Sequence, residues 1–370
     1  MDPNTIVAQK FEINDTLGSG SFGQVFLGTK IGTQKKVAIK IEKKSAKNQQ
    51  LLSEAKVIKD LKGAGIPKVY WHGIQGEYNC MVMQLLGDTL EKLLTKYDRK
   101  VPLKDLSLIA KQLIDRIEHI HEHNYIHRDI KPENFVMGLG KEHQKVYAID
   151  FGLAKKYRDP VTKMHIRFSE NHSLVGTARY SSINTHMGIQ QSRRDDVESI
   201  IYLILYLMEG RLPWQGVRGK HDHERFYKMM NMKMKFTSQA RFDGIPQEFI
   251  NIIHYVQKIR FEEPPDYNYI RRELEAIALK DRVHLQRSFN LKKIGKLGPS
   301  KSSQNVKPLR KNSLSVRFGS VSEIEEPSIS EAITIKAKFT YPKFQDREMI
   351  FKNLRDNEEQ FRSKSPCIIF

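Results

Sequence analysis

The hydrophobic pattern changes character along the chain. Over residues 11–87 it is strand-like. Phe11–Leu17, Val25–Gly28, Val37–Lys40 and Tyr78–Leu86 (YNCMVMQLL) read as strands, the last of them buried. One interruption, QQLLSEAKVIKDL near Asn48–Leu61, has apolar residues at helical spacing. From Thr89 onward the pattern is mainly helical. Leu103–His121 predicts a long amphipathic helix, and Asp196–Met208 an apolar one that is central and buried on most faces. A third pattern begins near residue 286. Arg287–Gly319 holds several Lys and Arg and many Ser but no Asp or Glu, and its lack of periodicity reads as disorder. Beyond it, Ile333–Tyr341 alternates like a strand, and a short helix could follow over Phe344–Phe361. The expected fold class is α+β in two lobes. A strand-rich lobe spans about 11–87, a mainly helical lobe about 88–285, and a basic Ser-rich tail 286–370.

Composition narrows this only in part. The 370 residues are 39% hydrophobic and 28% charged, as in a soluble globular protein with ample core. The longest apolar run, Ile200–Met208, is too short to cross a bilayer. Met1-Asp2-Pro3-Asn4 does not open a basic-then-apolar leader. Two cysteines, Cys80 and Cys367, make no disulfide framework and point to a reducing compartment, and Cys80 reads as core packing. The net charge of +19 implies acidic partners: phosphorylated protein, acidic peptide, anionic lipid or nucleic acid.

Two motifs carry chemistry. Residues 127–134 read His-Arg-Asp-Ile-Lys-Pro-Glu-Asn, and residues 150–152 read Asp-Phe-Gly. The first places a carboxylate, Asp129, beside a cation, Lys131, with a metal-binding amide, Asn134, further on. The second supplies a metal-binding carboxylate, Asp150. Phosphoryl transfer from ATP needs a group that orients the attacking hydroxyl, a cation on the moving phosphoryl group, and magnesium ligands. The chain order is that of a protein kinase. Gly18-Ser19-Gly20-Ser21-Phe22-Gly23-Gln24-Val25 lies between two strand-like runs, so it reads as a phosphate-covering hairpin loop, not the strand-to-helix turn of a dinucleotide fold. Lys40 would hold the α- and β-phosphates, and Glu54 on the first predicted helix is placed to pair with it. The plainer readings are a solvated edge lysine and a solvated helix glutamate.

Further motifs are more specific: AGIPKVY at 64–70, AIDFGLAKKYRD at 148–159, VGTARYSSINTHMGIQQSRRD at 175–195, LPWQG at 212–216 and PPDYNYI at 264–270. With these the chain resembles the casein kinase I family of serine/threonine protein kinases over about residues 11–280. Ser182-Ile183-Asn184 stands where most kinases have Ala-Pro-Glu. Gly87-Asp88-Thr89 departs from the family's usual Gly-Pro-Ser, and the aromatic-rich segment that closes the family's domain is not recognisable after Leu279.

The resemblance implies a bilobal protein kinase fold using ATP and Mg2+. Asp129 would orient the substrate hydroxyl and accept its proton, and Lys131 would stabilise the transferred group, a lysine there being the serine/threonine-kinase choice. Asn134 and Asp150 would hold magnesium, and Asp196 would brace the loop carrying Asp129. Leu17, Gly18, Gly20, Ser21, Phe22 and Gly23 would cover the nucleotide. Adenine would lie between Val25, Ala38, Val136 and Ile149, with Met83 behind it and backbone groups near Leu86 at its edge. For acidic or phosphorylated protein substrates, Arg179, Gln215, Gly216 and Arg225 match the family's anion-binding positions. Solvated surface charge is the alternative for both arginines. His172 stands where a lysine is common, which weakens one flank of the patch at neutral pH.

Three readings of the tail stay open: an inhibitor of the acidic-substrate groove, a binder of anionic lipid or nucleic acid, and a solvated linker. Cys367-Ile368-Ile369-Phe370 fits C-a-a-X with a geranylgeranyl preference, and the basic segment would supply a second membrane signal. The expectation is a monomeric cytoplasmic enzyme with a membrane-associated fraction, a nuclear location being left open. The rival classes are a pseudokinase scaffold and a nucleic-acid-binding protein. Intact Lys40, Glu54, Asp129, Asn134 and Asp150 disfavour the first, and the absence of a recognition motif disfavours the second.

Overall fold

A computed structural model describes residues 4–20, 23–238 and 245–280. Its N-terminal part is a six-stranded antiparallel sheet in the order β1-β2-β3-β4-β6-β5. The strands are β1 (Ile6–Val7), β2 (Phe11–Gly20), β3 (Gly23–Lys30), β4 (Lys36–Lys43), β5 (Val69–Gln75) and β6 (Tyr78–Gln84), with α1 (Leu51–Asp60) between β4 and β5.

Register decides what each face of this sheet does. Val25 pairs with Lys40 across β3 and β4, and Ala38 and Lys40 pair with Met83 and Met81 across β4 and β6. Paired residues of an antiparallel sheet project to the same side, so these five share one face. Phe26, Val37, Ile39, Ile41, Cys80 and Val82 project to the other, where they close a small core with Val7, Phe11 and Ile13. Helix α1 lies on the first face, where Leu51, Ala55 and Ile58 join Met81 in the main core.

The second part is helical: α2 (Leu90–Lys96), α3 (Leu103–Glu122), α4 (Ile183–His186), α5 (Arg193–Glu209), α6 (Asp222–Ser238), α7 (Gln247–Lys258) and α8 (Tyr267–Lys280). Two short hairpin-like pairs line its upper edge: β7 (Tyr125–Ile126) with β10 (Lys155–Lys156), and β8 (Phe135–Met137) with β9 (Val146–Ala148). Every residue of α5 from Asp195 to Met208 is buried, as its continuous apolar run predicts. Helix α3 buries one stripe, including Leu106, Ile109, Leu113, Ile117 and Ile120, and packs against α5 and α8. Among the described residues, no helix is long and apolar enough to cross a membrane.

The expected α+β, two-part architecture stands. The helix expected near Asn48–Leu61 begins only at Leu51, and the strand expected over Tyr78–Leu86 ends at Gln84, where the chain turns into the connection between the parts. Ser21, Phe22, the 286–370 tail with its expected strand and helix, and Cys367 lie outside the described residues.

One buried acid in α5 sets a pH dependence. Glu198 accepts from the Ile183 amide at 2.8 Å and the Tyr202 hydroxyl at 2.7 Å. Burial, with Asp195 adding to it, pushes its carboxyl from 4.5 up to about 7. An acid protonated in the folded protein and ionised in the unfolded chain costs stability as pH rises between those two values. Relative to Glu198→Gln, wild-type Tm is expected to fall as pH rises from about 4.5 to about 7 in a thermal-melt series.

Candidate active site

The segment 127–134 follows α3 and β7 and is held almost entirely by buried polar groups. The Asp196 carboxylate, 1% exposed on α5, accepts from the backbone amides of His127 at 2.7 Å and Arg128 at 2.9 Å. It also meets His121 Nε2 at 3.0 Å, while the Tyr267 hydroxyl donates to His121 Nδ1 at 2.6 Å. Burial would raise the Asp196 carboxyl, but these bonds outweigh it and hold it below the usual carboxylate range. Burial keeps His121 below its ordinary value, so the neutral ring donates through Nε2 and accepts through Nδ1. Arg128 sits at φ 68°, a left-handed conformation uncommon for a bulky side chain, immediately before Asp129. Gly176 comes so close on the other side that a Cβ there would lie 2.2 Å from the Arg128 carbonyl oxygen.

Asp129 is 2% exposed and fully engaged. Lys131 Nζ lies 2.8 Å from Oδ2, and the Asn134 amide donates to Oδ2 at 3.0 Å and to the Asp129 carbonyl at 2.8 Å. The Thr177 hydroxyl and amide donate to Oδ1 at 2.8 and 3.1 Å. Burial pulls the Lys131 ammonium down, and Asp129 outweighs it, so its pKa is raised and the cation is secure. With both amide protons of Asn134 spent on Asp129, its carbonyl oxygen is left for a ligand.

On the sheet side, Lys40 Nζ reaches Glu54 at 2.8 Å and Asp150 at 3.0 Å. Burial lowers the lysine's pKa, but the two carboxylates more than reverse it. Asp150 is held below the usual carboxylate range because Lys40 and Lys131 overcome its burial, whereas burial raises Glu54. Asp150 also has a left-handed backbone, φ 62°, and follows Ile149, whose carbonyl meets His127 Nε2 at 3.1 Å. Asp150 and the Asn134 oxygen make a two-donor set. That suits a magnesium ion delivered with phosphate oxygens, since Mg2+ is commonly held by one or two protein groups plus substrate.

Of the residues expected to face a nucleotide, Val25, Ala38 and Met83 share the sheet face that carries Lys40, and Val136 lies on β8. Neither backbone group of Leu86 has a hydrogen-bond partner among the described residues, while Gly87 donates to the Met137 carbonyl at 2.8 Å. Leu17 is the extra residue of a bulge between Thr16 and Gly18 and is 41% exposed. The glycines of the loop differ in their reasons. A Cβ on Gly23 would lie 2.1 Å from the Ile41 carbonyl oxygen, a strand-packing demand, whereas Gly18 faces open space.

The residues expected to bind an anion are each anchored differently. Trp214 Nε1 donates to the Arg179 carbonyl at 2.7 Å, which ties the following Gln215-Gly216 to Arg179. The Gln215 side chain folds back on its own turn, its Oε1 3.4 Å from the Leu212 amide. Arg225 opens α6 and is paired with Asp222 at 3.0 Å, but its buried Nε has no acceptor among the described residues. His172 is held below its ordinary value by burial and then by Lys155 and Arg128, so it is neutral at pH 7.

Glu42 had no assigned part in the sequence reading. It is 3% exposed on β4, two residues beyond Lys40 and on the same face. It accepts from the Gln50 amide at 2.8 Å, the Leu51 amide at 3.4 Å and Asn79 Nδ2 at 3.0 Å. Helix α1 has no side-chain cap of its own at Gln50, so a strand carboxylate supplies it, favourably placed for the helix dipole. Its Lys-x-Glu spacing on one strand face was the available signal.

A family model described as protein kinase domain matches residues 11–264. That span covers β2 to the loop after α7 and includes every group placed above except Tyr267.

Glu42→Ala is expected to free the N-terminus of α1. Stability should drop by about 1–2 kcal/mol, as for loss of a helix cap. The Lys40–Glu54 pair should loosen, so that KM for ATP rises several-fold while amide exchange accelerates at Gln50 and Leu51.

Proposed function

The chain belongs to the protein kinase family, and from that premise we propose that it is an active serine/threonine kinase of the casein kinase I type. Its substrates would be proteins carrying acidic or already phosphorylated residues near the target hydroxyl. The observation that carries this reading is the setting of Asp129. One carboxylate oxygen is fixed by Lys131 and Asn134, the other by Thr177.

In the proposed step the substrate hydroxyl donates to Asp129, which orients it and takes its proton as attack begins. The new bond forms between that oxygen and the γ-phosphorus, and the bond to the β–γ bridging oxygen breaks to release ADP. Lys131 lies beside the position where the transferred group carries its charge, and Lys40 is set to hold the α- and β-phosphates. Magnesium, held by Asn134 and Asp150, would neutralise phosphate charge. The Thr177 bond draws the 176–181 segment against Asp129, which supports a short acceptor side chain over a phenol.

Preference for acidic or primed substrates rests on Arg179 and Arg225. The unpaired buried Nε of Arg225 is a donor that an arriving phosphate oxygen would satisfy. Asp222 counts against it, since its carboxylate already neutralises part of that guanidinium.

The test is phosphate transfer from magnesium-ATP to two matched peptides. One carries phosphoserine three residues before the target serine, the other plain serine. Wild type is expected to favour the primed peptide, and Asp129→Asn to lose about 10²–10⁴-fold in kcat on both. Equal transfer to both peptides would remove the anion-site reading and leave the kinase. No transfer to either would favour a scaffold. Asp222→Asn, which removes the competing carboxylate, is expected to enlarge the primed-over-plain ratio, read as kcat/KM.

A further inference from the structure

Lys233 is the unexplained charge of this fold. It lies in α6 and is 0% exposed. An ammonium taken out of water costs several kcal/mol unless its protons find acceptors (order of magnitude). Lys233 Nζ has them: the Ala178 carbonyl at 2.9 Å, the Ser181 carbonyl at 2.6 Å and His186 Nε2 at 3.0 Å. The rings of Tyr202 and Trp214 lie 5.0 and 5.3 Å from it. Three acceptors match the three N–H bonds of the charged form, provided His186 Nε2 is unprotonated. Burial, and then Lys233 itself, holds His186 well below its ordinary value, so the ring is neutral; Nε2 accepts from Lys233 in the tautomer that carries the proton on Nδ1, and the same nitrogen lies 3.2 Å from the Ala178 carbonyl.

These partners are not scattered. Ala178 and Ser181 bracket Arg179 and Tyr180, and the Arg179 carbonyl is taken by Trp214 Nε1. Carbonyls of the 178–181 segment are therefore caught from the core side. The next triplet, Ser182-Ile183-Asn184, contains no charged side chain, and α5 anchors it instead. The Ser182 hydroxyl donates to Asp195 at 2.6 Å, and the Ile183 amide to Glu198 at 2.8 Å. The other end of Lys233's own helix carries Arg225. Eight residues of helix separate the two, about 12 Å along the axis. One rigid element thus presents one arginine directly and grips the segment that presents the other.

We propose that Lys233 is a positioning residue for acidic-substrate recognition: through the Ala178 and Ser181 carbonyls it fixes Arg179 relative to Arg225. The proposal rests on the anion-site reading above. It places a determinant of substrate preference in the core, remote from solvent and from the nucleotide.

The experiment is steady-state kinetics of the full chain with the primed and plain peptides, comparing wild type with Lys233→Met, which keeps a long unbranched side chain without donors. The expected result is a rise of about five-fold or more in KM for the primed peptide, with KM for ATP and kcat on the plain peptide within about two-fold. The primed-over-plain ratio collapses as a consequence. A general loss of packing would instead lower activity on both peptides together. If Lys233→Met does not fold, Lys233→Gln, which retains two donors and no charge, is read by the same ratio. A ratio unchanged in the folded variant, or an equal loss on both peptides, overturns the proposal while leaving the anion site in place. No preference for the primed peptide in wild type removes the anion-site reading and this proposal with it.

Discussion

One carboxylate with no access to water holds the reacting loop in shape. Asp196 accepts two consecutive backbone amides, those of His127 and Arg128, and fixes the left-handed turn at Arg128 from inside the core. Neither a helix nor a strand can supply acceptors to amides in that conformation, so an external carboxylate must. The arrangement then propagates. His127, held at its amide, bonds the Ile149 carbonyl through one nitrogen and receives the Asp129 amide at 3.3 Å on the other. The two acidic motifs, whose carboxylates Asp129 and Asp150 stand 21 positions apart in the sequence, are thereby tied to the same imidazole. On its far side Asp196 meets His121, and through it Tyr267 of α8. A charge buried among so many donors is stable only while all of them stay, so the loop inherits the rigidity of three helices.

The sheet side obeys a different constraint. Lys40 is surrounded by two carboxylates, and their attraction must exceed the cost of burying all three groups. That balance requires α1 to stay close to β4. Apolar contacts from Leu51, Ala55 and Ile58 hold its body, and Glu42 holds its N-terminus. Lys40 and Glu42 therefore act as two attachment points of one strand on one helix. Thermal motion that tilts the helix must break both, and the second is independent of any nucleotide.

What was legible in the sequence was whatever depends on spacing. Period-two runs gave the strands, the 3.6-residue period gave α1, α3 and α5, and the motif residues Asp129, Lys131, Asn134 and Asp150 lie together with the Lys40–Glu54 pair where their order implied. Boundaries were less secure, because Leu85 and Leu86 continue the apolar run of β6 while the chain leaves the sheet to join the two parts. The residues that escaped are those whose meaning is wholly tertiary. Glu42, Asp222 and Lys233 look like ordinary surface charges in one dimension. Only the fold shows that Glu42 caps a helix, that Asp222 competes for Arg225, and that Lys233 is fully buried. At Gly23 the fold adds a demand of its own, because a Cβ there would lie 2.1 Å from the Ile41 carbonyl oxygen.

The same contrast bears on how charge selects a substrate. A net charge of +19 attracts anions in general, but a diffuse field is screened within about 8–10 Å at physiological salt and cannot read a single phosphate position. Discrimination needs a guanidinium held at a fixed distance from the acceptor hydroxyl. On the proposed reading, the backbone would supply that distance. Thr177 is bonded to Asp129, the next carbonyls are bonded to Lys233 and Trp214, and Arg179 projects from the stretch between. Because each link is a short bond to a buried partner, the separation between Asp129 and Arg179 is set by the core and not by the surface. On the proposed anion-site reading, substitutions beneath the segment should therefore weaken binding of acidic substrates much as substitutions of the arginines themselves would.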